Sequence, residues 1–296
     1  MSAIRSLTQS GGQRKDMSDN IIKDYSEYVP DVHFELIPIR NLVSNQEYQR
    51  NLSTTHVLKT ANNFDLFQLN PVKVSRRDGI NYVFNGQHTI EVVALVSGSR
   101  ETPVWCMIYD DLEYEEEADI FANQTKYTKP LSPYETFNAN VEAESDKHLI
   151  IRDLVESYGL VIAPTNQPGC ICAVGSLEYI YDRYGFHILD RTLRLTIGTW
   201  EGEPASFSGN MLKGISHLVY AFDTSMKDEV FKERCGRESV KEISRDARAR
   251  KSGSMGYAEK LLQTYNKGTK GGLSFEKLHT KVKEAADEYK KCREKS

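Results

Sequence analysis

The stretch from Asn70 to Val96, NPVKVSRRDGINYVFNGQHTIEVVALV, constrains the fold more than any other part of this chain. Val72 and Val74 flank Lys73, and Ile80, Tyr82 and Phe84 alternate along the next run, the two-residue period of strands. Val83 adds an apolar residue on the other side, so the second strand is expected to be partly buried on both faces. Asp78-Gly79 between the runs is a favoured two-residue hairpin turn, because glycine takes a positive φ without a Cβ clash. The second strand runs straight into Asn85-Gly86-Gln87-His88-Thr89, after which Ile90, Val93, Ala94 and Ser97 recur at helical spacing. A strand that breaks at glycine and restarts as a helix leaves several backbone N–H groups unpaired and pointing one way. With the helix dipole they make a site for phosphate or another anion. The plainer account is an ordinary tight turn, with His88 a satisfied turn residue.

At 296 residues the chain can hold one large domain or two ordinary ones. Its net charge of −4 gives no global drive toward nucleic acid, so such binding would need a local basic patch. No apolar run reaches bilayer length and no signal-peptide core opens the sequence, so a cytoplasmic protein with no membrane partner is expected. Of five cysteines only Cys170 and Cys172 are close, and one intervening residue is not the usual zinc spacing. Reduced, mostly buried thiols and no metal site are expected.

Residues 1–30 are polar and read as a flexible arm whose Arg5, Arg14 and Lys15 could meet a phosphate backbone. From Val32 to Ile39 the chain alternates as a strand, with Pro38 arguing for an edge or an end. Ser53 begins a helix with Val57, Leu58 and Ala61 on one face, closing near Asn62-Asn63; Val104–Tyr109 is a further apolar strand. The order strand, helix, hairpin, helix, strand predicts an α+β domain over 31–140, a small mixed sheet with helices packed on it. Glu115, Glu116 and Glu117 enter a helix reaching about Gln124 and read as a solvated face. Ser132-Pro133-Tyr134-Glu135 is a capping box with proline at the first helical position.

Residues 141–296 read as an all-α half. Leu149, Ile150, Leu154 and Val155 suggest one amphipathic face closed by Gly159, with Pro164–Gly169 a loop. Helices over Val174–Tyr184 and Leu189–Trp200, joined at Gly185-Phe186, fit either a helix-turn-helix or any αα-hairpin. In the first case Arg191 and Arg194 would contact DNA. Arg245, Arg248, Arg250 and Lys251 form the most basic run, Tyr257–Tyr265 a short helix and Glu276–Arg293 a charged terminal one.

Four ordered pieces carry a resemblance: YQR at Tyr48–Arg50, PVKV at Pro71–Val74, NGQHT at Asn85–Thr89 and NQTKYTKPLSP at Asn123–Pro133. Over residues 33–140 the chain resembles the ParB/sulfiredoxin superfamily, in its phage and mobile-element branch with a DGQHR-type signature. AVGSLEYIY from Ala173 and LLQTYNKG from Leu261 are similar to the tail of that branch. The resemblance implies a nucleotide pocket for ATP or CTP with Mg²⁺. Gly86 to Thr89 would cradle phosphate, with Asn85 at the corner and Gln87 and His88 pointing at the β- or γ-phosphate. Asn123 would hold a metal or phosphate oxygen, and Lys126, Lys129 or Arg50 would supply the cation. Two departures remove charge: Asn85 stands where an acid is usual, and Thr89 where an arginine is usual. Gln87 stands where a sulfiredoxin needs its cysteine, so that reductase activity is not implied.

The functional expectation is a nucleotide-binding, DNA-associated protein of mobile-element type, in which NTP binding or hydrolysis switches the DNA-bound state and a homodimer is one partner. A nuclease on the same fold is the alternative, with His88 as general base or acid and a divalent metal near Asn123 and Glu91. A small-molecule kinase would need a carboxylate base in the pocket. A scaffold that keeps the fold without a ligand is the remaining reading.

Overall fold

A computed structural model describes residues 28–44, 51–124, 126, 130–268 and 271–295, with the side chains of 293–295 set aside. The proposed arm over 1–30, apart from its last three residues, lies outside the described residues, as do Arg50 and Lys129. The chain divides into two units, Met1–Lys129 and Pro130–Ser296.

The first unit is built on a five-stranded mixed sheet of order β1-β5-β3-β4-β2. Its strands are β1 (His33–Pro38), β2 (Leu42–Ser44), β3 (Val72–Arg77), β4 (Ile80–Asn85) and β5 (Pro103–Asp110). β1 is an edge strand and Pro38 ends it, as a residue without an N–H must be placed. The β3–β4 hairpin turns on Asp78 and Gly79, both at positive φ (50° and 73°). The three-residue β2 was not legible, because a strand that short shows no period.

Helix α1 (Thr54–Asn62) is capped by Ser53, whose side chain accepts from the His56 N–H. Val57 is buried on it, but Leu58 is half exposed, so the apolar face is narrower than expected. Helix α2 (Gln87–Ser97) lays Ile90 and Val93 on one sheet face, against Ile37, Val72, Val74, Val83, Val104, Cys106 and Ile108. Burial pushes the Cys106 thiol up to about 11, so it stays protonated and inert. On the other face Phe84 meets Tyr109 edge-on, ring centroids 5.4 Å apart. Helix α3 (Tyr114–Asn123) carries the three glutamates in its first turn. Glu117 corrects the expectation of a solvated face: it is fully buried and pairs with Arg77 at 3.0 Å.

The second unit is helical apart from a two-stranded parallel ladder, β6 (Val161–Ile162) with β7 (Cys170–Ile171), hidden in the sequence by its brevity. Helix α4 (Pro133–Glu142) has the expected capping box and belongs to this unit, which begins at Pro130. Its Phe137 packs with Ile151, Leu154 and Val155 of α5 (Asp146–Ser157). The α5 face is therefore centred on Ile151 with buried His148, while Ile150 is 38% exposed. His148 takes an inward place because Ser145 Oγ and Glu178 Oε1 satisfy its ring nitrogens at 2.7 and 3.1 Å.

Helices α6 (Val174–Tyr184) and α7 (Phe186–Trp200) are separated by Gly185 alone, shorter than the three- or four-residue turn of a helix-turn-helix. Helix α8 (Gly209–Phe222) is buried at ten positions and forms the centre of the unit. Against it pack α6, α7, α11 (Ser254–Asn266) and α12 (Phe275–Lys295), while α9 (Asp228–Cys235) lies on α7 and α11, and α10 (Val240–Arg250) on α11. α11 is 13 residues long and mostly buried, starting three residues before the short helix expected over Tyr257–Tyr265. Cys170 is half-buried and Cys172 and Cys292 are exposed, so only two of the five thiols are buried. No described helix is long and apolar enough to cross a membrane.

Candidate functional site

The strand-to-helix corner is built around Gly86. Its φ of 109° is one that L side chains rarely adopt, and a Cβ there would lie 3.1 Å from Val72 Cα. The backbone is thus pressed against Val72 of β3 where α2 begins, and the first amides of α2 have no acceptor within the helix. The residues that carry them line a cavity of about 780 Å³ within the first unit.

Asn85, Gly86, Gln87, His88 and Thr89, singled out from the sequence, all line this cavity. His88 Nε2 accepts the Ser53 N–H at 3.2 Å, and its ring meets His56 edge-on with centroids 5.3 Å apart. Accepting that bond makes Nε2 the unprotonated nitrogen and ties the corner to the start of α1. Asn85 Nδ2 donates to Gln124 Oε1 at 2.6 Å, joining the end of β4 to the end of α3.

Other expected residues stand elsewhere. Asn123 turns back onto its own helix, donating to Asp119 O at 3.0 Å and Asp119 Oδ1 at 2.8 Å, and does not line the cavity. Its place is taken by the next residue, Gln124. Lys126 is likewise not among the lining residues. Glu91 faces a neighbouring groove and pairs with Arg100 at 2.8 Å, so the structure does not gather Asn123 and Glu91 at the cavity. Among the described residues no group of three or more His, Cys, Asp or Glu is placed to hold a metal ion. In the helical unit, Arg191 gives its guanidinium to Asp228 Oδ1 at 2.6 Å and to the Asp223 and Met226 carbonyls. It locks the turn before α9 and has no fork left for a nucleic acid; Arg194 is 53% exposed.

Sequence reasoning missed Asn51, Ser53, His56, Lys73, Phe121 and Gln124 as lining residues. The signal for Lys73 was present: a lysine between two buried valines has to face the opposite side of the sheet. The set holds carboxamides at 51, 85, 87 and 124, hydroxyls at 53 and 89, two histidines, one lysine and an aromatic ring. It contains no carboxylate, so the kinase reading lacks its base among the described residues.

A family model matches residues 43–275, described as a family of unknown function, DUF6551. That is most of the chain. The chain belongs to the family DUF6551. The DUF6551 match runs from β2 to the first residue of α12 and so takes in the cavity and nearly all of the helical unit. No curated protein matches this DUF6551 member. Among solved structures, it is similar to the C-terminally truncated chromosome-partitioning protein ParB from Caulobacter crescentus complexed with CTP-γ-S. The likeness covers 77% of this chain and 98% of that one at 13% identity, with a TM-score of 0.33. A TM-score of that size assigns neither fold nor ligand.

Proposed function

We propose that this DUF6551 member binds a nucleoside triphosphate in the cavity beneath the Gly86 corner. The observation that carries this reading is the lining itself: helix-start amides beside a lysine and two histidines, with no acid among the described residues. Such a set favours a polyanion by dipole, hydrogen bond and charge together. Phe121 offers a base an apolar surface, and the Asn85–Gln124 carboxamide pair offers it donors and acceptors. The resemblance of the NGQHT and PVKV segments to the ParB/sulfiredoxin superfamily supports the same ligand class. Mg²⁺ would enter with the nucleotide's own phosphates.

Association with DNA is the partner expected of such a switch. Exposed Arg245, Arg248 and Arg250 along α10 are better placed for it than Arg191. Isothermal titration of the full chain with ATP, CTP, GTP and ADP plus Mg²⁺ tests the nucleotide reading. Saturable binding of at least one triphosphate supports it; silence across the series removes it. A gel-shift titration over rising salt tests the DNA arm, where affinity should fall steeply with ionic strength.

A further inference from the structure

Strand β3 carries three cations, Lys73, Arg76 and Arg77, and their fates differ. Arg76 pairs with Glu35 across the sheet at 2.6 Å. Arg77 pairs with buried Glu117 at 3.0 Å. Lys73 has no ion pair among the described residues, and it is the one that lines the cavity.

Its neighbourhood is shaped by an irregularity in the ladder. Val74 pairs with Val83, but Lys73 pairs with Asn85, so Phe84 is an extra residue in β4. Without that bulge, Asn85 would follow Val83 by two and face the core with it. The bulge swings Asn85 to the face of Lys73, beside the cavity, while Phe84 stays buried against Tyr109 on that same side. The bulge thus places one polar side chain, that of Asn85, on the face of Lys73 and beside the same cavity.

We infer that Lys73 is a residue that neutralises the ligand's phosphates, the role the family resemblance gave to Lys126, Lys129 or Arg50, and that through it the pocket grades ligands by charge. This rests on the nucleotide reading. A nucleoside triphosphate is held more tightly than its monophosphate because each added phosphate increases the attraction to the same ammonium.

Calorimetric titration of wild type and Lys73→Gln with a nucleoside tri- and monophosphate, at two salt concentrations, tests this. The expected loss for the triphosphate is roughly ten- to a hundredfold, the range for a charge-assisted contact. The monophosphate loses less, and the salt dependence flattens. Lys73→Arg should restore part of the affinity. If wild type binds and Lys73→Gln binds equally well with the same salt dependence, this inference is overturned and the nucleotide reading stands. If wild type binds nothing, both fall. Should the glutamine variant melt lower than wild type, amine acylation of the wild-type chain replaces it. Nucleotide should shield Lys73 from the reagent, and undiminished labelling at saturation overturns the proposal.

Discussion

Gly86 joins two demands in one residue: a positive φ and a backbone pressed onto Val72. Gly86→Val should therefore cost roughly 2 kcal/mol or more, from left-handed strain plus the displaced valine. Chemical denaturation of the two proteins measures it, and equal midpoints would mean the corner is looser than described. Which residues line the cavity was only partly legible. The run from Asn85 to Thr89 is local, so its place at a helix start follows from the glycine and the apolar period after it. Lys73 lies twelve residues earlier and reaches the cavity only through strand pairing, a long-range fact that no local spacing encodes. Asn123 and Gln124 show the opposite failure: the right segment was identified, but Asn123 is spent on Asp119 and its neighbour faces the cavity.

At the scale of elements, α8 and α11 meet through a glycine. A Cβ on Gly214 would lie 2.7 Å from Tyr257 Cβ and 3.1 Å from the Ser254 carbonyl oxygen. Gly214→Ala is expected to overpack that contact and destabilise the helical unit by about 1–3 kcal/mol, read as a lower melting temperature. An unchanged melting temperature would show that the helices can part freely. The α4 capping box is a second case: Ser132→Ala should cost about 1 kcal/mol. Elements with strong local grammar were legible in this way: the Asp78-Gly79 hairpin, the Ser132 box, the helix stopping at Gly185. Elements set by packing were not. β2, β6 and β7 are too short for a period, and α11 buries Lys260 because Glu238 and Asp246 hold its ammonium at 2.7 and 3.0 Å. A lysine in the core hides the apolar pattern.

Across the whole molecule, acid should act on the two units at different pH. In the helical unit His217 bridges the Tyr184 hydroxyl at 2.9 Å and Ser254 Oγ at 3.0 Å, near Arg183 and Lys213. Burial, then those two cations, lower its pKa from 6.5 to about 3. Between these values the unfolded chain binds the proton more readily than the folded one. The stabilisation is thus whole above 6.5 and is lost as pH falls toward 3. In the sheet unit the Arg76 hydrogen bond lowers Glu35 from 4.5 to about 2, so its smaller, solvent-screened contribution is lost only below 4.5. The two tryptophans report separately, Trp105 from β5 and Trp200 from α7. The Trp200 transition should weaken first on acidification, and His217→Gln should flatten that dependence; simultaneous loss in both would contradict the assignment. The central claim, that the Gly86 corner grips a nucleotide, is tested most directly by a melting-temperature panel of the wild-type chain with ATP, CTP, GTP and ADP in Mg²⁺. A saturable rise with at least one triphosphate, larger than with the diphosphate, is the expected result. No rise with any of them at concentrations well above millimolar would contradict it.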